Sequence, residues 1–235
     1  MLSKDFGALP PAVQLESVRE YYEVLQKKVA TRFFKRLWDI FFSSICIIIV
    51  SPLFLITAGL IKCTSKGPVF FCQERVGRYE KPFCILKFRT MVCGANQIGS
   101  QNLTVGDKDP RITRIGSFLR RSRIDEMPQF INVLRGDMSL IGPRPEIAHY
   151  VRYYTQEMKA ALLIRPGMSG SASIRYRYEN ELLAKQTDPE RYYIETVLPD
   201  KMAMNLEYIK KLSLWNDIKL IGKTIACVFN NTPIL

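Results

Sequence analysis

Asp125 and Glu126 stand side by side in "LRRSRIDEMPQF", with Arg120, Arg121 and Arg123 within five residues of Asp125. Taken alone the pair says little, because acidic residues near helix starts ordinarily do no more than complement the helix dipole. Its surroundings say more. "GPRPE" holds Arg144 between two prolines, "IRPGMSG" carries Arg165 ahead of a turn, and Lys87 and Arg89 end a β-rich stretch. Arginine binds phosphate bidentately. Magnesium takes one or two carboxylates together with phosphate oxygens and water. An aspartate can also be a nucleophile and carry a phosphoryl group as an aspartyl phosphate. Together these residue types suit a polyphosphate substrate bridged by Mg²⁺. The plainer alternative makes the arginines solvated faces and surface ion pairs of little energetic weight.

Other chemistries are not supported. The six cysteines (Cys46, Cys63, Cys72, Cys84, Cys93 and Cys227) form no CxxC pair, and His149 is the one histidine. This points away from zinc and from a disulfide framework, and suggests small apolar residues in a reducing compartment. No Walker loop, GxGxxG, HExxH or GxSxG occurs, so the nucleotide-binding folds, zinc hydrolases and serine hydrolases that carry them are not indicated. The net charge of +12 falls almost wholly after residue 61, which suits phosphate in some form.

The elements that must position these residues can be read coarsely. "PVFFCQERV", "GRYEKP" and "FCILKFRTM" read as strand, turn and return strand. Residues 92–110 read as a loop. Phe118, Leu119, Phe130, Ile131 and Leu134 suggest helices on either side of Asp125-Glu126, with Ser122-x-x-Asp125 a candidate capping box and Pro128 suited to a first turn. Leu214, Ile218, Ile221, Ile225 and Val228 make an amphipathic stripe, open either to packing on the domain or to lying in a membrane interface. "VQLESVREYYEVLQKKV" reads as a polar helix.

Residues 40–61 carry no charge between Asp39 and Lys62. Twenty-two residues are enough to cross a bilayer core of about 30 Å at about 1.5 Å per residue. Yet Ser51-Pro52 lies near the middle, and both flanks are basic: Arg32, Lys35 and Arg36 before, Lys62 and Lys66 after. Basic flanks favour the cytoplasmic side, which pulls both ends to one face. Pro52 removes a helical hydrogen bond to Ile48, and the Ser51 hydroxyl can satisfy the freed carbonyl. A single span and a re-entrant helix both remain open on these grounds.

"KRLWDI…SP", "GPVFFCQERVG", "KFRTM", "DPRITRIGSFLRRSRIDEMPQFINVLRGDMSLIGPRP" and "RPGMSG" together resemble the bacterial sugar transferases, the small monotopic polyprenol-phosphate phosphoglycosyl transferases. The resemblance runs from about residue 32 to 235. It implies an α+β, mostly helical fold: a re-entrant membrane helix over 32–62, a catalytic domain over 63–235 with a short β-hairpin, and interfacial amphipathic helices. Residues 1–31 then form an N-terminal polar helical extension outside the match. The implied enzyme, with Mg²⁺, moves a sugar 1-phosphate from a UDP-sugar to undecaprenyl phosphate and releases UMP, as the first membrane step of a bacterial glycoconjugate pathway. Its implied place is the cytoplasmic face of the bacterial inner membrane, with membrane lipid and no nucleic acid as partner. The resemblance makes Asp125 the nucleophile and a metal ligand, Glu126 its catalytic partner, and Arg120 and Arg144 phosphate ligands, which Lys87 and Arg89 are expected to join. It makes Ser51 and Pro52 the break in the membrane helix. The stretch "SASIRYRYENELLA" departs from many members and leaves the sugar undetermined.

Two other classes compete. A membrane-anchored basic module for nucleic acid or anionic lipid needs the charge but no Asp-Glu pair beside arginines. A nucleotide-sugar glycosyltransferase that makes a glycosidic bond would release UDP instead of UMP.

Overall fold

In a computed structural model that describes residues 5–95 and 109–229, the chain is mostly helical with two small two-stranded sheets. Helix α1 (Glu16–Lys27) leads into the long helix α2 (Val29–Thr64). Strands β1 (Phe70–Val76) and β2 (Pro82–Phe88) form an antiparallel hairpin. Next come α3 (Arg114–Arg121), a 3₁₀ turn (Ile124–Glu126), α4 (Gln129–Arg135), β3 (Ser139–Ile141), α5 (Ala148–Val151), β4 (Gly167–Ser169), α6 (Ser171–Arg175), α7 (Glu179–Ala184), α8 (Pro189–Tyr192), a π-helical turn (Tyr193–Val197), α9 (Leu198–Lys210) and α10 (Leu214–Phe229). The loop expected over 92–110 lies, except at its two ends, outside the described residues.

The hairpin forms as its sequence implies, with Tyr79 and Glu80 at positive φ in the turn. Two of the cysteines meet there: Cys72 and Cys84 form a close pair diagonally across the strands, Cys72 opposite Leu86 and Cys84 opposite Glu74, with their Cα atoms 5.5 Å apart. A separation of 12 residues matches no short spacing motif, so the pairing is visible only once the strands are in register. The second sheet has no counterpart among the sequence expectations. β3 and β4 run parallel, Ser139 opposite Gly167 and Ile141 opposite Ser169. A Cβ on Gly167 would sit 2.1 Å from the backbone nitrogen of Gly142, so the "PGMSG" glycine is there to let two backbones touch.

The largest core joins the two ends of the chain. Leu9, Val13, Val18, Tyr21, Tyr22 and Leu25 are buried against Leu163, Leu206, Ile209, Leu212 and Leu220. The helix expected before the apolar run does form, but one face of it is apolar and buried. Tyr21 donates a 2.6 Å hydrogen bond to Glu157, and Lys28 Nζ donates to the Lys210 carbonyl at 2.7 Å. Leu25→Ala should therefore cost about 2–5 kcal/mol, as large-to-small core changes do, and should appear as a clear drop in Tm.

Helix α2 is the one helix among the described residues long and apolar enough to cross a membrane. Pro52 lies inside α2, and Ser51 Oγ donates to the Ile48 carbonyl at 2.8 Å, replacing the bond that proline cannot make. Both ends of α2 rest on the same domain. Asp39 is buried and accepts the Leu140 N–H at 3.1 Å, so this carboxylate meets a strand and not lipid. Phe54 packs edge-on against Phe88, and Thr57 and Ile61 are buried. Between them Ile48 and Leu55 are 72% and 76% exposed.

The stripe on α10 divides in the same way, over the residues whose side chains are described. Its buried face is Asp217, Leu220 and Cys227, whereas Trp215, Ile218 and Ile225 are exposed. Asp217 is held by Lys35 of α2 at 2.6 Å and Tyr208 of α9 at 2.7 Å. A buried salt-bridged aspartate thus lies on the packing face, and apolar side chains are left facing outward.

Candidate active site

Three local features bring the acidic pair into position. Thr113 caps α3 by accepting the Gly116 N–H at 2.9 Å. At the other end the Ser122 hydroxyl donates back to Phe118 O at 2.9 Å, so it closes α3, and the expected capping box with Asp125 does not form. Arg123 then adopts φ 58, an uncommon left-handed turn for a side chain of this kind. The chain turns into the 3₁₀ segment that carries Asp125 and Glu126, one short turn before α4.

Helix α4 is anchored at its far end by arginines. Arg36 of α2 donates to the Val133 and Leu134 carbonyls at 2.6 and 3.0 Å, and Arg165 Nε donates to the Gly136 carbonyl at 2.7 Å. These satisfy carbonyls that a helix end leaves open. Burial pushes the Arg165 guanidinium down to about 10, with the Arg78 and Arg36 charges adding to the effect. Arg165 therefore supports the scaffold and does not join the carboxylates.

Asn132, fully buried, joins α4 to the hairpin. Its amide nitrogen donates to the Cys84 carbonyl at 2.7 Å and its oxygen accepts the Leu86 N–H at 2.9 Å, as a neighbouring strand would. That bond holds Lys87, the next residue along β2, within reach of the acidic pair.

Glu126 is the hub. Lys87 Nζ donates to its Oε1 at 2.9 Å, and Arg144 grips both its oxygens. Burial works to raise the Glu126 carboxyl, but Arg144 and Lys87 outweigh it and hold it well below the usual range. Asp125 is its opposite. It is only 7% exposed, and its Oδ1 has no hydrogen-bond partner. Burial, then the neighbouring Glu126 charge, pushes its carboxyl up, against the pull of Lys87, Arg120 and Arg123. One carboxylate is neutralised by two cations; the other keeps an unclaimed oxygen in a buried, cation-flanked position.

Of the residues singled out from the sequence, Asp125, Glu126, Lys87 and Arg144 come together. Arg120 sits alongside: its Nε donates to Thr90 Oγ1 at 3.0 Å, and its charge bears on Asp125. Arg89 goes elsewhere. It is 5% exposed and donates to the carbonyls of Ser65 and Lys66, at 2.9 and 2.7 Å, at the end of α2. Strand alternation would put Arg89 on the face of Lys87, but β2 ends at Phe88 and Arg89 lies beyond it. Among the described residues there is no cluster of three or more His, Cys, Asp or Glu able to hold a metal. His149 pairs with Glu190 at 2.8 Å, as a surface contact.

The sequence model for bacterial sugar transferases matches residues 30–231. This chain belongs to the bacterial sugar transferase family. Relatives include a UDP-N-acetylgalactosamine-undecaprenyl-phosphate N-acetylgalactosaminephosphotransferase of Aeromonas hydrophila, 43% identical over 83% of this chain and 44% of the relative. A UDP-glucose:undecaprenyl-phosphate glucose-1-phosphate transferase of Caulobacter vibrioides is 36% identical over 92% of this chain and 77% of the relative. An undecaprenyl-phosphate galactose phosphotransferase of Salmonella typhimurium is 34% identical over 86% and 41%. The match thus spans less than half the length of the Aeromonas and Salmonella relatives. The three sugars differ.

Proposed function

We propose that this chain transfers a sugar 1-phosphate from a UDP-sugar to undecaprenyl phosphate, with Asp125 as the nucleophile. The observation that carries this is the buried Asp125 carboxylate with an unpartnered oxygen, beside a Glu126 already neutralised by Lys87 and Arg144. A carboxylate oxygen of Asp125 attacks the phosphorus that bears the sugar. The bond from that phosphorus to the bridging oxygen breaks, UMP leaves with that oxygen, and the phosphosugar stays on Asp125. A phosphate oxygen of the lipid then attacks the same phosphorus, the bond to Asp125 breaks, and the undecaprenyl diphosphate sugar departs. Arg144 and Arg120 neutralise the phosphate charge. Glu126 keeps Lys87 and Arg144 in place and sets the local charge balance.

Asp125 fits a role in holding Mg²⁺: one free carboxylate oxygen beside phosphate oxygens is the donor set this ion accepts, and the ion would supply further neutralisation of the diphosphate. The test is which nucleotide appears when a panel of UDP-sugars is supplied with undecaprenyl phosphate. UMP is expected; UDP would mean glycosidic transfer. Arg144→Ala and Arg120→Ala should each lower the rate by one to two orders of magnitude, since a hydrogen bond to a charged group is worth about 1.5–3 kcal/mol; wild-type kinetics in both would make these arginines structural.

The membrane helix is read as re-entrant, at the cytoplasmic face of the bacterial inner membrane. What supports this is the core shared by residues before and after α2, because a bilayer cannot divide a packed core. The bare middle of α2 and the outward Trp215, Ile218 and Ile225 of α10 supply apolar surface for lipid. The segment expected to set the sugar, residues 171–184, lies close by through the Arg123 contact with the Arg177 carbonyl at 3.1 Å.

A further inference from the structure

The loop that carries Arg144 is poorly equipped to hold itself. Pro143 and Pro145 on either side have no N–H to donate. The loop is pinned two residues further on, at Glu146. Its carbonyl accepts the Val76 N–H at 2.8 Å. Its buried carboxylate accepts the Tyr193 hydroxyl at 2.6 Å and lies 3.8 Å from Arg75 and 3.7 Å from Lys201. Arg75 also donates to the Pro145 carbonyl at 3.2 Å. Lys201 Nζ sits 2.5 Å from Glu179 of α7 and 3.3 Å from the Tyr193 hydroxyl.

Signs alternate along this chain: Arg144, Glu146, Lys201, Glu179. The two middle charges, Glu146 and Lys201, are buried, which is tolerable only because each is paired; Arg144 and Glu179, at the two ends, are partly buried. Tyr193 opens the π-helical turn, a local departure from α geometry that is frequent at functional sites. Burial and the adjacent Glu146 keep its hydroxyl protonated and therefore a donor.

We propose that Glu146, Tyr193, Lys201 and Glu179 form a positioning network that fixes the Arg144 guanidinium at the site and ties it to the 171–184 segment. The network touches no reacting atom. It rests on the functional reading in one respect: Arg144 is taken to bind substrate phosphate. A network of this kind gives the variable segment a route to the phosphate site, so a donor that shifts Glu179 also shifts how firmly Arg144 is held.

The test uses the full chain in lipid nanodiscs. Tyr193→Phe removes one hydroxyl and keeps the ring; Glu179→Gln, at a position not fully buried, keeps the shape if the first variant folds poorly. Each is measured for kcat and KM of UMP release, and for thermal stabilisation by UDP, which needs no turnover. The expected result is a loss in kcat/KM of about 10-fold or more and a weakened UDP response. In an Arg144→Ala background the same changes should cost less than about two-fold, because residues acting as one unit are non-additive. Losses that simply add to that of Arg144→Ala, or a lowered Tm with unchanged kinetic constants and UDP response, overturn the proposal and make the network structural. If the wild type binds UDP but releases no UMP, the functional reading fails on its own, and the UDP response of the variants still decides the network.

Discussion

Asp125→Asn should lower UMP release by about 10⁴-fold or more, as removal of a nucleophile does, while the folded protein becomes no less stable. The amide is nearly isosteric and cannot attack phosphorus. The stability half rests on burial. Asp125 is pushed up, so its folded form binds the proton more readily than the unfolded chain. Its penalty therefore appears as pH rises past the unfolded value and is complete above the folded one. Asparagine removes that penalty at neutral pH.

Glu126→Gln should behave oppositely in stability. Glu126 is held well below its ordinary value by Arg144 and Lys87, against burial. Its contribution is present above the unfolded value and is lost as pH falls through the depressed one. Glutamine would leave Lys87 and Arg144 facing each other without a countercharge. Breaking such a buried pair costs about 3–5 kcal/mol, less here because the Arg144 side chain is a third exposed. Activity should also fall severely. Adjacent carboxylates with opposite stability signs are a sharper test than loss of activity alone. Wild-type turnover in Asp125→Asn would remove the nucleophile assignment, and a Tm loss in Asp125→Asn equal to that in Glu126→Gln would mean Asp125 is a paired structural acid.

Local rules account for the parts of the molecule that were legible in the sequence. The hairpin was visible because β-rich runs flank a polar turn, and the acidic pair because arginines crowd it. The exceptions share a cause. Asn132 is buried on the α4 face, whereas Phe130, Ile131 and Leu134 are only partly buried, because the hairpin edge needs a donor and an acceptor more than it needs apolar area. Asp217 is on the packing face of α10 for the same reason: Lys35 and Tyr208 wait for it. An apolar stripe identifies a face but not its neighbour, and neighbours distant in sequence choose the polar residues that are buried. Glu146, from the loop after β3, and Tyr193 and Lys201, from the run into α9, had no local signal at all.

Cysteines introduced at Lys27 and Lys66, in a chain cleared of its native exposed cysteines, should both react only with reagent on the cytoplasmic side. Both positions are exposed, one on each flank of α2. The expectation rests on two contacts that a crossing helix could not keep together. Leu25, two residues before the first label, is buried in the same core as Ile209 and Leu220. Ile61, five residues before the second, is buried with Phe88 and Leu119. A straight helix of 36 residues would be about 54 Å long and would carry one of these contacts out of reach across the bilayer. Replacing Ser51-Pro52 with Ala-Ala removes the proline and restores the hydrogen bond to Ile48. It should favour a straight, spanning helix, set against the core that holds residues 9–25 to the catalytic domain. Activity should fall at least 10-fold, with Asp125 untouched, and a fraction of the chains should show their two labels on opposite faces. Wild-type labels found on opposite faces would overturn the re-entrant reading and make the protein a single-span enzyme.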